Sequence, residues 1–421
     1  MFKSPKECGV EPGIPNVFRF MDGNEVKTVK EWQKRADELK KMYEYYMYGP
    51  LPETIEEKVS YSLGEWTEEN QDDVAVRTAS LYIEVEYNGR DVGFEAVICL
   101  PKRETKVLGE KALFPVHLEM SFVWEGQELK TSQNDYYAAK RGYASICYNP
   151  TSIAEDRCGR SGTFYTLHPY GNTWTEQTGV LAAWGWGASK ILDALQQGLA
   201  AELGIDPAKN ILSGVSRYGK ATLVTGAYDT RFKVVVPACS GAGGAAMYRY
   251  RSEGNIYNLE EIGYMDEVGN SLYTVTQNEA LSNLQSEAER HWFNDTFLEF
   301  DGENRLPMDQ HALVSLMAHP ERYLFMISAV TQEDWVNAAS MALTYLEARK
   351  VYDFLGITDH ICLCEHLQGH AILRSDMEKL LDYCDEVFYS REEVHKQAID
   401  LQASVFWTQE GLSRCVDTKR G

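Results

Sequence analysis

Gly214-Val-Ser-Arg-Tyr-Gly-Lys220 follows a short apolar run, Asn210-Ile-Leu-Ser213, and precedes a segment with helical character, Ala221 to Tyr228. A strand, a glycine-flanked serine and a helix in this order predict a nucleophile elbow, which presents Ser216 at the N-terminus of a helix. The unpaired N–H groups there can bind a developing oxyanion. The second glycine comes one residue later than in the usual G-x-S-x-G pattern. A plain strand-to-helix turn with an incidental serine therefore stays open at this point.

Composition and charge exclude several classes of partner. The chain has 421 residues, 44% of them apolar, and a net charge of −22. A surface this acidic disfavours nucleic acids and anionic membranes, because both require clustered Lys and Arg. No apolar run approaches the roughly 20 residues that span a bilayer. We expect neither nucleic acid nor membrane among the partners.

Cysteine usage and the first residues bear on the compartment. The nine cysteines are scattered and odd in number, unlike a disulfide framework. The start of the chain, Met1-Phe-Lys-Ser-Pro-Lys-Glu7, has no apolar segment typical of a secretion signal. Both features predict a reducing, cytoplasmic location.

Hydrophobic patterning predicts an α/β protein. Two alternating segments, Leu81–Tyr87 and Val92–Leu100, flank an Asn88-Gly89 turn and open the sheet as antiparallel strands. Strands and helices then alternate, which predicts a mostly parallel central sheet covered on both faces, a three-layer sandwich. Later strands are expected at 112–118, 143–147, 211–213, 232–236, 323–328 and 360–364, and helices at 28–46, 180–203, 338–354 and 375–388. We expect one domain over 1–421, with an N-terminal extension of about 1–75 and a loop-rich insertion of about 240–310.

A nucleophilic serine needs a base and an acid that orients the base. In this topology the chain order is serine, acid, histidine. His370 lies between the last strand and the last helix and is the preferred base; His366, which continues the strand, is the alternative. The acid is expected in the loop after 323–328, where Asp334 is preferred to Glu333 on loop position.

The same region contains the spacing Cys362-x-Cys364-x-His366-x3-His370, which zinc could accept. Alternate residues on one strand face explain Cys362, Cys364 and His366 without an ion, and the spacing matches no standard zinc motif. We therefore expect no metal and no other cofactor.

The serine stretch resembles that of the glucuronoyl esterases, carbohydrate esterase family 15, whose motif is G-[CV]-S-R-x-G-K. Other segments over roughly 90–390 are similar to the family: the Trp184-Gly-Trp-Gly helix, the loop Asn149–Asp156, the Ser240–Ala246 turn, Trp292-Phe293 and Leu306–Leu313. The resemblance implies an α/β-hydrolase fold. It also implies cleavage of esters between glucuronic acid on xylan and alcohols of lignin.

Residue roles carried over by matching motif are those of a serine esterase. Ser216 would be the nucleophile, His370 the base, and Arg217 part of the oxyanion hole. Lys220 would contact a sugar hydroxyl, and Trp292 would line the sugar site. The small carbohydrate ester or oligosaccharide that binds there would be an imported fragment if the protein is cytoplasmic.

Two departures from the family pattern affect this interpretation. The family's acid commonly precedes the S-G-x-G-G segment, where this chain has Cys239. A thiol cannot orient an imidazolium, so the acid is expected at the Asp334 loop, as in some bacterial relatives. In 258–262 the family's sugar-contacting residues are not clearly matched. A carbohydrate acetyl esterase and an inactive carbohydrate-binding relative remain alternatives, and the natural ester and oligomeric state stay open.

Overall fold

The structure of the chain, a computed structural model, describes residues 2–52, 56–71, 74–102, 113–260, 265 and 268–389. A ten-stranded sheet forms its centre, and a separate two-stranded sheet forms within the predicted insertion. The strands are β1 Lys58–Leu63, β2 Thr67–Gln71, β3 Val74–Tyr87, β4 Arg90–Pro101, β5 Phe114–Met120, β6 Ala144–Tyr148, β7 Ile205–Val215, β8 Val234–Ala238, β9 Ile256–Asn258, β10 Leu272–Thr274, β11 Tyr323–Ala329 and β12 Ile361–His366.

The large sheet is antiparallel at one end and parallel at the other, as predicted. Its order is β1-β3-β4-β6-β5-β7-β8-β11-β12, with β2 paired to β3. The pairs among β1, β2, β3, β4 and β6 are antiparallel. From β6 to β12 every neighbouring pair is parallel. Parallel strands need crossover connections, and the helices supply these.

The helices cover both faces of the sheet. They are α1 Val29–Tyr43, α2 Gln133–Lys140, α3 Thr163–Leu167, α4 Val180–Ala194, α5 Ala200–Leu203, α6 Arg217–Tyr228, α7 Leu281–Leu284, α8 Asp295–Leu298, α9 Gln310–Ser315, α10 Ala338–Leu355 and α11 Arg374–Phe388. Leu324 and Met326 pack in one core with α4, α6 and α10. Phe325 and Ile327 pack in a second core with α2 and α11. Because alternate residues of a strand point to opposite faces, this division confirms three layers.

One predicted helix is interrupted. The helix expected over 180–203 is α4 and α5 separated by a wider turn at Leu195–Leu199, where Gly198 has φ 141°. A residue at this φ cannot continue a right-handed helix, so the chain changes direction there.

The N-terminal segment belongs to the larger core. Trp32, Leu39 and Tyr43 of α1 are buried in it. The Tyr43 hydroxyl donates to the backbone oxygen of Asp309 at 2.8 Å. No helix among the described residues is both long enough and apolar enough to cross a bilayer.

Four parallel strands end side by side, and the segments that follow them form the candidate site. β7 is followed by Ser216, β8 by Cys239, β11 by a loop that contains Glu333, and β12 by a loop that contains His370. Ligand sites of parallel sheets lie at this carboxyl edge.

Candidate active site

Ser216 occupies the turn between β7 and α6, as the sequence predicts. Its backbone has φ 61° and ψ −128°, which a residue with a side chain rarely adopts. The Ser216 N–H donates to the Ala238 carbonyl at 2.9 Å, which ties the turn to the neighbouring strand. A strained, anchored conformation of this kind holds the serine side chain at the strand edge.

Close backbone packing explains both glycines of the motif. A Cβ on Gly214 would lie 2.6 Å from the Tyr218 carbonyl oxygen. A Cβ on Gly219 would lie 2.5 Å from the Ala238 carbonyl oxygen, so the late glycine is needed where α6 crosses β8. The offset from G-x-S-x-G therefore has a packing cause in this chain.

His370 is paired with Glu333, not with Asp334. The His370 Nδ1 and Glu333 Oε2 atoms are 2.8 Å apart, and the two side chains are 27% and 10% exposed. Both atoms are buried and neither has a hydrogen bond among the described residues, so the contact is a close ion-pair approach rather than an aligned hydrogen bond. The expectation that Asp334 orients His370 is contradicted by this geometry, and the alternative, Glu333, has the required position.

Asp334 instead holds the insertion. Its Oδ2 accepts from the Thr276 N–H at 2.7 Å and the Thr276 hydroxyl at 2.6 Å, and its Oδ1 accepts from the Tyr273 hydroxyl. Gln332, at φ 64°, turns the chain just before these two acids. A 3₁₀ turn then begins at Asp334, so the adjacent carboxylates diverge. Loop position alone could not separate them.

The electrostatics favour a neutral imidazole at His370. Burial lowers the pKa of His370, and the charges of Lys220, Arg217 and His366 lower it further. Burial raises the pKa of Glu333, which His366 opposes and Asp334 reinforces. An imidazole that is neutral near pH 7 can accept the proton of a serine hydroxyl.

His366 holds the loop that contains His370. Its Nδ1 is 2.8 Å from Asp376 Oδ2, and its Nε2 is 2.8 Å from the Gly369 oxygen. Burial disfavours the charged form, but Asp376 and Cys239 outweigh it and raise the pKa of His366 to about 10. With both ring nitrogens protonated, His366 donates to both partners and links the strand end to the loop. It is therefore a positioning residue.

Arg217 lies in a network centred on Asp156. Arg217 Nη1 is 2.5 Å from Asp156 Oδ2, while Asp156 Oδ1 accepts from His291 Nε2 at 2.8 Å and Trp292 Nε1 at 2.7 Å. Burial would raise the pKa of Asp156, but these three partners lower it to about 2. The Arg217 Nε atom is buried and has no partner among the described residues, so it remains available as a donor.

The Lys220 ammonium already makes three hydrogen bonds within the protein. Its ammonium donates to the backbone oxygens of Ser240 at 2.8 Å and Ala242 at 2.6 Å, and to Glu279 Oε2 at 2.6 Å. An ammonium has three donors, so a sugar hydroxyl must displace one of these bonds or bind to Glu279 instead. The Lys220 ammonium therefore has no free donor for the predicted direct contact with a sugar.

The exposed aromatic surface belongs to Trp335 rather than Trp292. Trp292 is 3% exposed, and its ring packs under the Arg217 and Lys220 cations, at 5.4 and 5.8 Å. Trp335 is 44% exposed, and its ring centroid lies 5.2 Å from that of His370. The predicted role of Trp292 as a sugar-lining surface does not fit its burial, whereas Trp335 offers an accessible ring beside the base.

Two acids of the insertion complete the site, and the sequence did not single them out. Glu279 reaches Lys220, and burial raises the pKa of Glu279. Burial also raises the pKa of Glu289 to about 7, with Glu279 adding to the shift. One Glu289 oxygen is buried without a partner among the described residues. Part of the 258–262 segment, residues 261–262, lies outside the described residues.

Cys239 is buried at the end of β8 with φ 44°, and its N–H donates to the Ile327 oxygen at 2.8 Å. The spacing Cys362-x-Cys364-x-His366 follows from the alternation of side chains along β12. Cys362 and Cys364 point to the same face and pack in the core under α11. Among the described residues, the close cluster of possible metal ligands lies elsewhere, at His117.

Comparisons with known proteins identify the family of the chain. A family model described as glucuronyl esterase of fungi matches residues 83–356. A multidomain esterase of Ruminococcus flavefaciens is 39% identical over 96% of this chain and 50% of its own length. A 4-O-methyl-glucuronoyl methylesterase of Podospora anserina is 28% identical over 82% of this chain and 60% of its own length. The chain thus spans about half to three fifths of these two relatives.

Solved structures share the fold. A carbohydrate esterase family 15 glucuronoyl esterase from Caldicellulosiruptor kristjansonii has a TM-score of 0.75 and 36% identity, covering 94% of this chain and 98% of that one. The glucuronoyl esterase catalytic domain from Hypocrea jecorina has a TM-score of 0.65 at 24% identity, with 90% of each chain covered. The predicted α/β-hydrolase fold is confirmed. Since the family model also spans well over half of the 421 residues, the chain belongs to the glucuronoyl esterase family, carbohydrate esterase family 15.

Proposed function

We propose that the chain is a serine esterase that hydrolyses esters of glucuronic acid through an acyl-enzyme. The observation that carries the proposal is the strained serine turn at Ser216, on the same sheet edge as the His370–Glu333 pair at 2.8 Å. The names of the Ruminococcus, Podospora and Caldicellulosiruptor relatives support an esterase of this class.

The proposed reaction assigns one chemical role to each of these groups. Ser216 Oγ attacks the ester carbonyl while His370 accepts its proton, and Glu333 stabilises the imidazolium that forms. The oxyanion of the tetrahedral intermediate accepts hydrogen bonds from the N-terminus of α6, where the first N–H groups have no helical partner, and from Arg217. His370 then protonates the departing alcohol. Water attacks the acyl-enzyme by the reverse sequence and releases the carboxylic acid.

Charge balance in the site supports an ester of a uronic acid as substrate. Asp156 neutralises Arg217, and Glu279 neutralises Lys220, so these two cations leave no net positive charge for an anionic sugar. A glucuronate ester is neutral, but the free acid carries a charge that this site does not compensate. The site therefore suits the ester and favours release of the product.

We assign sugar recognition to two carboxylates, which accept hydrogen bonds, and to one tryptophan ring. Glu279 and Glu289 lie near Lys220 and Arg217 and present carboxylate oxygens to sugar hydroxyls. Trp335 provides a ring against which a pyranose can pack beside His370. We propose a small carbohydrate ester or oligosaccharide as the ligand. The cytoplasmic location inferred from the sequence remains a prediction.

Hydrolysis of benzyl glucuronate, with benzyl alcohol release followed by chromatography, tests the proposal. We expect turnover by the wild type and by Ser152→Ala, a control at an exposed serine, and loss of more than about 10³-fold in Ser216→Ala. Acetylated xylo-oligosaccharides are assayed in parallel, because an acetyl esterase would hydrolyse these esters. Hydrolysis of the acetyl esters alone would contradict the glucuronate assignment, and no turnover of either would favour the inactive binding relative.

A further inference from the structure

A polar cluster lies inside the protein, on the α2 face of the sheet and outside the esterase site. His117 and Glu119 alternate on β5 and therefore point to the same face, and Asp135 reaches them from the first turn of α2. One donor atom of each residue lies within 4.8 Å of the other two. The intervening residues Val116, Leu118 and Met120 point into the opposite, apolar core.

Several atoms of this cluster are buried and have no hydrogen-bond partner among the described residues. They include one donor atom from each of the three residues: His117 Nδ1, Glu119 Oε2 and Asp135 Oδ1. The Ser121 and Ser132 hydroxyls lie within hydrogen-bonding reach of Glu119, and the Ser132 and Ser145 hydroxyls lie within reach of Asp135. Buried polar atoms in native proteins are almost always satisfied, so the unpartnered His117 Nδ1 beside two buried carboxyl groups indicates a missing polar partner.

One ring nitrogen of His117 is hydrogen-bonded to a neighbouring side chain, as is usual for a metal-binding histidine. Its Nε2 lies 2.7 Å from Ser213 Oγ, and the side chain is fully buried. The tautomer that donates Nε2–H to the Ser213 hydroxyl leaves a lone pair on Nδ1, which is buried and has no partner among the described residues. Such an outer hydrogen bond sets the tautomer and orientation of a ligating imidazole.

The two carboxyl groups have no cationic partner. No ion pair within the described ranges joins Glu119 or Asp135 to a Lys or Arg. A bound dication would compensate both charges at once.

We propose that His117, Glu119 and Asp135 bind one divalent transition-metal ion, Zn²⁺ in the first instance, with a serine hydroxyl or water completing its shell. One imidazole nitrogen with two carboxylates is a donor set that Zn²⁺ accepts, and rigid positions on a strand and a helix keep it in place. The ion would join β5 to α2 and so fix the segment between them. That segment carries Phe122, whose ring lies 4.3 Å from Tyr218, two residues beyond Ser216. The site is structural and independent of the ester chemistry.

Metal content and binding of the whole chain test the proposal. The protein is stripped with EDTA, and Zn²⁺ is then titrated by calorimetry, with a parallel Co²⁺ titration followed by visible absorption. We expect one ion per chain and a rise in Tm of roughly 5 °C at about 100 times the Kd. Glu119→Gln and His117→Gln should weaken binding by about 100-fold or more and remove the rise in Tm. Glu84→Gln, the same carboxylate-to-amide change on an exposed strand position, should change neither.

Two results would overturn the metal site. Wild-type protein that takes up neither Zn²⁺ nor Co²⁺ at micromolar concentration refutes it without any variant. The second result is a Glu119→Gln protein that is at least as stable as the stripped wild type and keeps the wild-type Zn²⁺ response. It would show that the two carboxyls share a proton and that the ion binds elsewhere. Hydrolysis of benzyl glucuronate measured on the same samples separates this outcome from failure of the proposed esterase function.

Discussion

Replacing Glu333 by Gln should slow turnover far more than replacing its neighbour Asp334 by Asn. Glu333 Oε2 lies 2.8 Å from His370 Nδ1, while the Asp334 carboxylate is bound to Thr276 and Tyr273. In Glu333→Gln the side chain keeps its size and a neutral hydrogen bond but loses the charge that stabilises the imidazolium. The Asp334→Asn change alters the anchor of the insertion and leaves the His370–Glu333 pair intact.

The size of the effect follows from the electrostatics of the pair. Unit charges about 4 Å apart near a protein surface interact by about 4 kcal/mol. The amide keeps part of this as a neutral hydrogen bond of about 1 kcal/mol. The remaining loss of about 3 kcal/mol corresponds to a decrease in kcat of roughly 10² to 10³, since about 1.4 kcal/mol changes a rate tenfold. We expect less than about a tenfold change in kcat for Asp334→Asn.

Steady-state hydrolysis of benzyl glucuronate across pH measures both variants. The acidic limb of kcat/KM reports the protonation of the base in the free enzyme. In Glu333→Gln the imidazolium loses its anion, so the pKa of His370 should fall and the limb should move to lower pH. Full activity of Glu333→Gln together with a large loss in Asp334→Asn would refute the assignment of Glu333 as the orienting acid.

Three further changes follow from the packing and charge of the site. Gly219→Ala places a Cβ against the Ala238 carbonyl oxygen at 2.5 Å, so it should lower stability by about 1–3 kcal/mol and cut kcat; a variant with wild-type Tm and turnover would contradict this packing argument. The pKa of His366 is raised to about 10, so its pairing stabilises the fold fully below about pH 6.5, and this contribution disappears as the pH rises through 10. Wild type should therefore lose more Tm between pH 6 and pH 10 than His366→Gln does, and equal losses would argue against a charged His366. Trp335→Ala should raise KM by about tenfold with little change in Tm, whereas Trp292→Ala, at a buried position, should cost about 3–5 kcal/mol in an unfolding titration; the opposite pattern would restore Trp292 as the sugar-lining ring.

Sequence patterns located the serine turn and the histidine loop at the carboxyl edge but not the contacts that each side chain makes. The Ser216 turn was predictable because its requirements are local: two glycines, a strand before them and a helix after them. His370 was predictable because it follows the last strand at the carboxyl edge. The sequence favoured Asp334, whereas Glu333 lies beside His370, because the turn at Gln332 decides the directions of the two side chains and no periodic pattern describes that turn.

The roles expected for Lys220 and Trp292 show a second limit. Both residues are where the motif places them, but their environments were not visible in the sequence. The partners of Lys220 include Glu279, which comes from a loop-rich insertion without a regular pattern. Burial decides that Trp292 packs beneath the site and that Trp335 remains accessible.

By itself, the sequence determined the three-layer α/β architecture, the serine turn and the loops that supply the histidine and the acid. These depend on neighbouring residues, because backbone sterics and the alternation of apolar side chains act over a few positions. Only the tertiary structure decided which carboxylate faces His370, which cation is neutralised by which acid, and that His117, Glu119 and Asp135 meet in the interior. These pairings join residues far apart in the chain, so they depend on how strands and loops pack and on which charges that packing removes from water.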